Sequence, residues 1–206
     1  GSMYDGASAL AEALLMAIRI TGKRRVAVSR AVHPLYRQVV GTYLRPSGFD
    51  IVELPLNGDG MTDVTSIRGD MDLAAVAIQS PNFFGLVENI AGYAEAAHGC
   101  GALSVVSFTE PIAWGLLKNP GYQGADIVCG EGRSLGLGQV SGGMGLGLFA
   151  AKMAHVRKMP GRLVGRTVDR DGNPGFVVTL STREQHIRRE KAMSNICSNQ
   201  SLCALG

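Results

Sequence analysis

Apolar and polar positions along the chain group into blocks that predict strands and helices in turn. The segment Tyr4–Ile20 has apolar residues at helical spacing, with Asp5 and Ser8 as cap candidates and Thr21-Gly22 as its end. Short apolar runs bounded by turn residues predict strands, and periodic segments between them predict helices. The predicted strands are 24–29, 49–56, 73–78, 103–108 and 125–129, and the further predicted helices are Pro34–Leu44 and Val87–His98.

The predicted strands are nearly all apolar, which is typical of a parallel sheet covered by helices on both faces. We therefore expect an α/β fold, a three-layer sandwich around a mostly parallel sheet. After Gly142 the pattern changes: 145–151 and 175–180 suggest further strands, and Thr182–Met193 is a strongly charged helix candidate. Ligands of such sheets bind in the loops that follow the carboxyl ends of the strands, so we look for functional residues there.

Size and composition favour one domain. The chain has 206 residues, 46% of them hydrophobic, which suits a single core. It contains neither a secretory signal nor an apolar run of the roughly 18 residues that a membrane helix needs, so we expect a cytoplasmic protein without membrane contact. Residues 1–3 look like a tag remnant, and we expect residues 4–206 to be one domain cut from a longer protein.

The net charge and the spacing of the cysteines argue against two classes of function, nucleic-acid binding and metal binding. The net charge of +3 comes mostly from the final third, but aromatic residues are only 6% of the chain and do not interleave with the basic ones, which disfavours a nucleic-acid partner. A solvated face or a protein contact fits these charges better. The four cysteines form no CxxC pair and have no histidine at ligand spacing, so we expect buried thiols and no metal site.

Two motifs allow a functional and a structural interpretation. Gly145-x-Gly147-x-x-Ala150 formally matches a dinucleotide fingerprint, with Asp169 as a possible ribose ligand, but a glycine-lined turn and strand is the favoured interpretation. His33 precedes Pro34 after a strand and could reach a ligand, although capping or packing is favoured there as well.

The stretch 130–136, "GEGRSLG", follows an apolar strand and lacks a lysine. No lysine occurs between Asn119 and Ala151. A pyridoxal-phosphate enzyme needs a lysine amine to form its Schiff base, so this loop cannot supply that function.

Five segments make the chain recognisable. They are "YDGASALAEA", "QSPNFFGLVEN", "GADIVCGEGRSLG", "KMPGRLVGRTVD" and "TREQHIRREKAMSNICSNQSLCAL". They closely resemble the P-protein, or glycine dehydrogenase (decarboxylating), of the glycine cleavage system, in the form that is split into two subunits, and within it subunit 1. The resemblance runs from Tyr4 to Leu205. It implies the large domain of a fold-type-I pyridoxal-phosphate-dependent transferase, with a smaller C-terminal domain missing.

The resemblance also implies the chemistry. The P-protein decarboxylates glycine at pyridoxal phosphate and passes the aminomethyl group to the lipoyl arm of the H-protein, and subunit 2 carries the catalytic lysine and the cofactor. That lysine aligns at or next to Arg133, and the aspartate that binds the pyridinium nitrogen aligns near Thr109 or Glu110. With Ser134 and His33, these residues form a candidate pseudo-site, and we expect neither a catalytic residue nor a covalent cofactor on this chain.

The expected partners follow from the same resemblance. They are subunit 2 and the lipoyl H-protein, with Arg183, His186 and Arg189 of the charged helix candidate at the interface, although a solvated amphipathic helix would have the same pattern. Apolar surface left uncovered predicts self-association. Two alternatives stay open: a domain that binds pyridoxal phosphate through another lysine such as Lys118, and a domain that binds a nucleotide by itself.

Overall fold

Buried apolar strands build a seven-stranded sheet at the centre of the protein. The computed structural model describes residues 1–161, 163–179, 189 and 201–205. The strands are β1 (Ser2–Met3), β2 (Arg25–Ser29), β3 (Asp50–Leu54), β4 (Leu73–Gln79), β5 (Leu103–Phe108), β6 (Ile127–Glu131) and β7 (Gly147–Ala151). Their order is β1-β7-β6-β5-β4-β2-β3. Strands β2 to β6 are parallel, whereas β7 is antiparallel to both of its neighbours.

Helices cover both faces of the sheet, as the sequence predicts. The first face packs against α1 (Gly6–Thr21) and α2 (Pro34–Leu44), and the second packs against α3 (Ile90–Gly99). Helix α1 begins where Asp5 Oδ1 accepts a hydrogen bond from the Ser8 amide at 2.7 Å, and it ends at Gly22, whose φ of 74° is left-handed. The three-layer α/β sandwich is therefore confirmed.

Each face of the sheet has its own core. Leu10 and Leu14 of α1 are fully buried against the central strands, which explains why so much of this helix is alanine and leucine. On the other face Ile90 and Tyr93 of α3 pack against Ile78 of β4. The sheet is thus apolar on both sides, which holds the carboxyl ends of its parallel strands in fixed positions.

Two predicted boundaries move in the structure. Helix α3 starts three residues later than predicted, because Asn89 Oδ1 accepts a hydrogen bond from the Gly92 amide at 3.1 Å and caps the helix there. Strand β6 covers Ile127–Glu131 instead of 125–129, so Glu131 belongs to the end of the strand. The charged helix candidate 182–193 lies outside the described residues apart from Arg189, which is exposed.

The region after β7 contains a separate hairpin. Strands β8 (Leu163–Val168), which the sequence did not predict, and β9 (Pro174–Thr179) pair antiparallel. Cross-strand pairing places Val164, Val168, Phe176 and Val178 on one face, and all four are exposed. A short helix, α4 (Ser201–Leu205), follows later in the chain.

The first residues take part in the sheet. Ser2 and Met3 pair with Leu148 and Gly147, and Met3 is buried. The interpretation of residues 1–3 as a tag remnant stays a prediction. In the ranges that the structure describes, no helix combines the length and the apolar character that crossing a bilayer requires. Cys100, Cys129 and Cys203 are buried free thiols, and Cys197 lies outside the described residues.

Candidate functional site

The residues predicted for the pseudo-site lie in loops after the carboxyl ends of parallel strands. His33 follows β2, Thr109 and Glu110 follow β5, and Arg133 and Ser134 follow β6. Strands β5 and β6 are neighbours in the sheet, so their loops adjoin. This edge is where parallel sheets generally bind ligands.

Glu110 and Ser134 are in direct contact. The Ser134 hydroxyl donates a hydrogen bond to Glu110 Oε1 at 2.7 Å. The same oxygen accepts the Ile112 amide at 3.0 Å and so caps a short helical turn that begins at Pro111. Both side chains are exposed, and Thr109 is half-buried beside them. The pair therefore ties the β5 loop to the β6 loop.

Arg133 holds the connection between β6 and β7 in place. Its guanidinium donates hydrogen bonds to the carbonyl oxygens of Met144 at 3.2 Å and Gly143 at 3.4 Å. Its backbone amide donates to Glu131 Oε1 at 3.1 Å. These hydrogen bonds hold the loop in place. A guanidinium stays protonated and is a poor nucleophile, so the Arg133 side chain cannot form an imine.

His33 begins α2 and belongs to an aromatic group. Its Nδ1 accepts a hydrogen bond from the Leu35 amide at 3.2 Å, and its own amide donates to Gln79 Oε1 at 2.9 Å. The ring packs edge-on against Phe83, with the centroids 5.1 Å apart, and lies tilted against the ring of Tyr36, with the centroids 5.4 Å apart. The capping and packing role that the sequence favoured is confirmed.

Glu131 is a site residue that the sequence analysis missed. Its Oε1 accepts the amides of Leu146 at 2.8 Å and Arg133 at 3.1 Å, and its Oε2 accepts the amide of Gly6 at 3.1 Å. The carboxylate therefore joins the end of β6, the start of β7 and the first residue of α1. The only signal in the sequence is an acidic residue within "GEG", which does not reveal the distant partner Gly6.

Tyr36 lies beside this carboxylate. Burial raises the pKa of its phenol, and the negative charges of Glu131 and Asp5 raise it further, while Arg133 opposes them. The hydroxyl also lies where a β-carbon on Gly6 would be, so that position has room only for glycine. Tyr36 thus stays protonated at neutral pH and closes the start of α1 from one side.

A buried polar network supports the loop after β4. The Glu88 carboxylate accepts hydrogen bonds from the Thr62 hydroxyl at 3.0 Å and from Asn82 Nδ2 at 2.9 Å. The Ser80 hydroxyl accepts the Glu88 amide at 3.2 Å. This network fixes the loop that presents Phe83 and Phe84, whose rings are both about half exposed. The sequence "QSPNFFGLVEN" marks the loop but not its buried carboxylate.

A separate cluster of charged side chains lies at the amino-terminal end of β6. Asp126 accepts hydrogen bonds from Lys152 Nζ and from His98 Nε2, each at 2.7 Å. Asp126 and Lys152 line a cleft of about 320 Å³ together with Trp114. Within the part of the chain that the structure describes, no group of three histidine, cysteine, aspartate or glutamate side chains is arranged to hold a metal ion.

The glycine motif does not form a dinucleotide site. Gly147 lies in strand β7 and Gly145 directly precedes it, whereas the fingerprint requires a helix after the glycines. A β-carbon on Gly147 would lie 2.5 Å from the Asp5 carbonyl oxygen, and one on Gly145 would lie 2.8 Å from Asp5 Cβ. These glycines let β7 pass close to the start of α1, which is the structural interpretation that the sequence favoured.

Comparison with known families agrees with this architecture. The family model described as glycine cleavage system P-protein matches residues 1–206, the whole of the sequence. The chain belongs to the P-protein family. The resemblance inferred from the quoted segments is therefore confirmed.

Curated P-proteins support the more specific resemblance to subunit 1. The chain is 58% identical over 205 residues to the probable glycine dehydrogenase (decarboxylating) subunit 1 of Desulfotalea psychrophila, which covers 99% of this chain and 46% of that protein. It is 53% identical over 206 residues to the protein of the same description from Chlorobaculum tepidum, with the same coverage of 99% and 46%. The chain thus spans about half the length of these relatives.

Solved structures show the same fold. A crystal structure described as glycine decarboxylase (P-protein) of the glycine cleavage system, in inhibitor-bound form, matches with a TM-score of 0.89 and 50% identity over 99% of this chain and 46% of that one. A cystathione gamma lyase from Micromonospora echinospora matches with a TM-score of 0.57 and 20% identity over 77% of this chain and 40% of that one. Both structures share the α/β fold with a mostly parallel sheet that the sequence predicts.

Proposed function

We propose that this chain is the part of a P-protein subunit 1 that supports the chemistry of subunit 2 without carrying the cofactor. The assembled P-protein would decarboxylate glycine at pyridoxal phosphate on subunit 2 and pass the aminomethyl group to the lipoyl arm of the H-protein. The main support is Arg133, which lies in the loop after β6, at or next to the position where the catalytic lysine of subunit 2 aligns. Its guanidinium is already bonded to two carbonyl oxygens.

The residues at this edge of the sheet do not fit the cofactor. Thr109 and Glu110 follow β5, where the resemblance expects an aspartate, and Glu110 is engaged by Ser134 and by the Ile112 amide. Lys118, the alternative Schiff-base donor, is exposed on the loop that follows the helical turn Pro111–Gly115. No contact in the described part of the chain directs its side chain toward Arg133. We therefore assign no step of the reaction to this chain.

The proposed partners are subunit 2 and the H-protein. Arg183, His186 and Arg189 stay the proposed contact residues for subunit 2, of which the structure describes only Arg189. Phe83 and Phe84 are exposed at the edge that holds the candidate site, which suits a contact with a second subunit. A cytoplasmic location and the role of the chain as one domain of a longer subunit also stay predictions.

Reconstitution tests the supporting role. Glycine–bicarbonate exchange should need subunit 2, and adding this chain should raise the exchange rate or the stability of subunit 2. The Arg133→Ala variant is a suitable comparison. Its loop loses the two hydrogen bonds of the guanidinium, but the substitution removes no amine that could form a Schiff base. Exchange by this chain alone, or a reduced Schiff base on it after borohydride treatment with pyridoxal phosphate, would refute the proposal.

A further inference from the structure

The first turn of α1 faces the candidate site and already binds two carboxylates of this chain. The Gly6 amide donates to Glu131 Oε2 at 3.1 Å, and the Ser8 amide donates to Asp5 Oδ1 at 2.7 Å. The amides at a helix start carry partial positive charge and favour an anion, which makes such a position a common place for phosphate. Here a side-chain anion takes that place.

Glu131 is held there by three backbone amides from separate segments. Besides Gly6, its carboxylate accepts the amides of Arg133 at 3.1 Å and Leu146 at 2.8 Å. Charge-assisted hydrogen bonds of this kind are among the stronger ones in proteins. Tyr36 closes one side, since its hydroxyl lies beside Gly6 and leaves no room for a β-carbon there. The arrangement resembles a filled anion site, in which the anion is covalently part of the protein.

We propose that Glu131 is an internal anion that fills the site at the start of α1 and thereby excludes the phosphate group of a phosphorylated cofactor. The inference rests on the proposed function and adds to it: besides the missing lysine, this subunit has a second, independent barrier to the cofactor. A phosphate placed at the Gly6 amide would meet the negative charges of Glu131 and Asp5 and would have to displace Glu131 Oε2 from that amide, while Oε1 is held in place by the amides of Arg133 and Leu146.

One consequence concerns Arg133. Replacing it with lysine supplies an amine but leaves the start of α1 occupied, so Arg133→Lys alone should not create a cofactor site. The double variant with Glu131→Ala should bind pyridoxal phosphate about tenfold or more tightly than Arg133→Lys, because one charge-assisted contact is worth roughly that factor.

Inorganic phosphate tests the site directly. Thermal unfolding would be followed against phosphate concentration, with sodium chloride at matched ionic strength, for the unchanged chain, Glu131→Ala and Glu131→Gln. We expect Glu131→Ala to melt lower than the unchanged chain and to regain stability saturably in phosphate, because a bound ligand stabilises the folded state. Glu131→Gln keeps the volume of the side chain and should gain little from phosphate. Equal effects on the unchanged chain and Glu131→Ala, or none on Glu131→Ala, would refute the inference.

A second measurement covers the case in which Glu131→Ala does not fold. The amide resonances of Gly6 and Ser8 in the unchanged chain should not shift when phosphate is added, and shifts that saturate would show an open site and refute the inference.

Borohydride trapping with pyridoxal phosphate separates the two proposals. An adduct on the unchanged chain refutes the proposed function, whereas the phosphate titrations decide the role of Glu131.

Discussion

Asp126 shows how one buried carboxylate is kept ionised. It is 5% exposed, and its oxygens accept hydrogen bonds from Lys152, from His98 and from the Ser104 amide. Burial by itself would raise the pKa of Asp126, but the hydrogen bonds from Lys152 and His98 outweigh it and hold the pKa below the ordinary value. The carboxylate thus links β6 to α3 and to the end of β7.

This lowered pKa predicts a pH dependence of stability. Because the pKa of Asp126 is lower in the folded than in the unfolded chain, its contribution is complete above about pH 4, the unfolded value, and is lost as the pH falls through the folded value. Asp126→Asn should cost about 1–3 kcal/mol at neutral pH, and less near pH 3. Urea unfolding across this pH range measures the difference. The exposed Asp72→Asn is the control, and a pH-independent loss in Asp126→Asn would contradict the prediction.

The buried Glu88 gives a second prediction at this scale. Removing its side chain in Glu88→Ala leaves Asn82 and Thr62 without their carboxylate acceptor, which should lower the free energy of unfolding by about 2–4 kcal/mol. Glu95→Ala, at an exposed position of α3, is the matched control and should change it by less than about 0.5 kcal/mol. Chemical denaturation of the two variants makes the comparison. Similar small losses would show that the network adds little to stability.

Roles of single residues could be predicted only where they depend on nearby sequence. His33 could be placed as a cap because Pro34 follows it directly, whereas Glu110 and Ser134 were grouped only through the resemblance, and the neighbouring positions of their loops come from the strand order of the structure. The role of Glu131 depends on Gly6, 125 residues earlier in the chain. No local pattern carries that information.

At the scale of elements, the glycine that starts α1 is set by close packing. A β-carbon on Gly6 would overlap the Tyr36 hydroxyl and would lie 2.7 Å from the Glu131 amide nitrogen. The helix, the end of β6 and α2 therefore meet at a point with no spare volume.

Gly6→Ala should consequently destabilise the protein by about 1–3 kcal/mol, as overpacking generally does. Gly99→Ala, near the end of α3 where a β-carbon would have no neighbour within 4 Å, should be neutral or slightly stabilising because alanine favours helix. Thermal and urea unfolding of both variants give the comparison. A Gly6→Ala variant as stable as Gly99→Ala would show that Tyr36 moves aside without cost.

Elements were predicted well where apolar runs end at clear breakers. Pro34–Leu44 and Leu103–Phe108 agree with the structure residue for residue. Strand β8 was not predicted because Gly165, Arg166 and Thr167 interrupt its apolar pattern, and a two-stranded hairpin with an exposed face does not show the alternation of a half-buried strand. The antiparallel direction of β7 was also hidden, since an apolar run has no direction.

At the scale of the whole molecule, apolar surface remains uncovered. The β8–β9 hairpin exposes Val164, Val168, Phe176 and Val178 on one face. Two-stranded hairpins are marginally stable by themselves in water, so this face favours a covering partner. A second copy of the chain is available in any purified sample.

We therefore expect concentration-dependent self-association that Phe176→Ser weakens by about tenfold or more, because a large buried side chain contributes about 1.5–3 kcal/mol. Leu116→Ser is the control, since Leu116 is 96% exposed but lies outside the hairpin. Sedimentation velocity over a hundredfold range of concentration measures both. Unchanged association in Phe176→Ser would show that another surface mediates it.

The position of β7 between β6 and β1 also limits when contacts can form during translation. Met3 pairs with Gly147, and the Gly6 amide has its acceptor on Glu131, 125 residues later in the chain, so these contacts cannot form until the later residues have been synthesised. Contacts this distant in sequence form slowly. A nascent chain would therefore expose the start of α1 throughout translation of the other parallel strands, which makes that segment a natural place for a chaperone to bind.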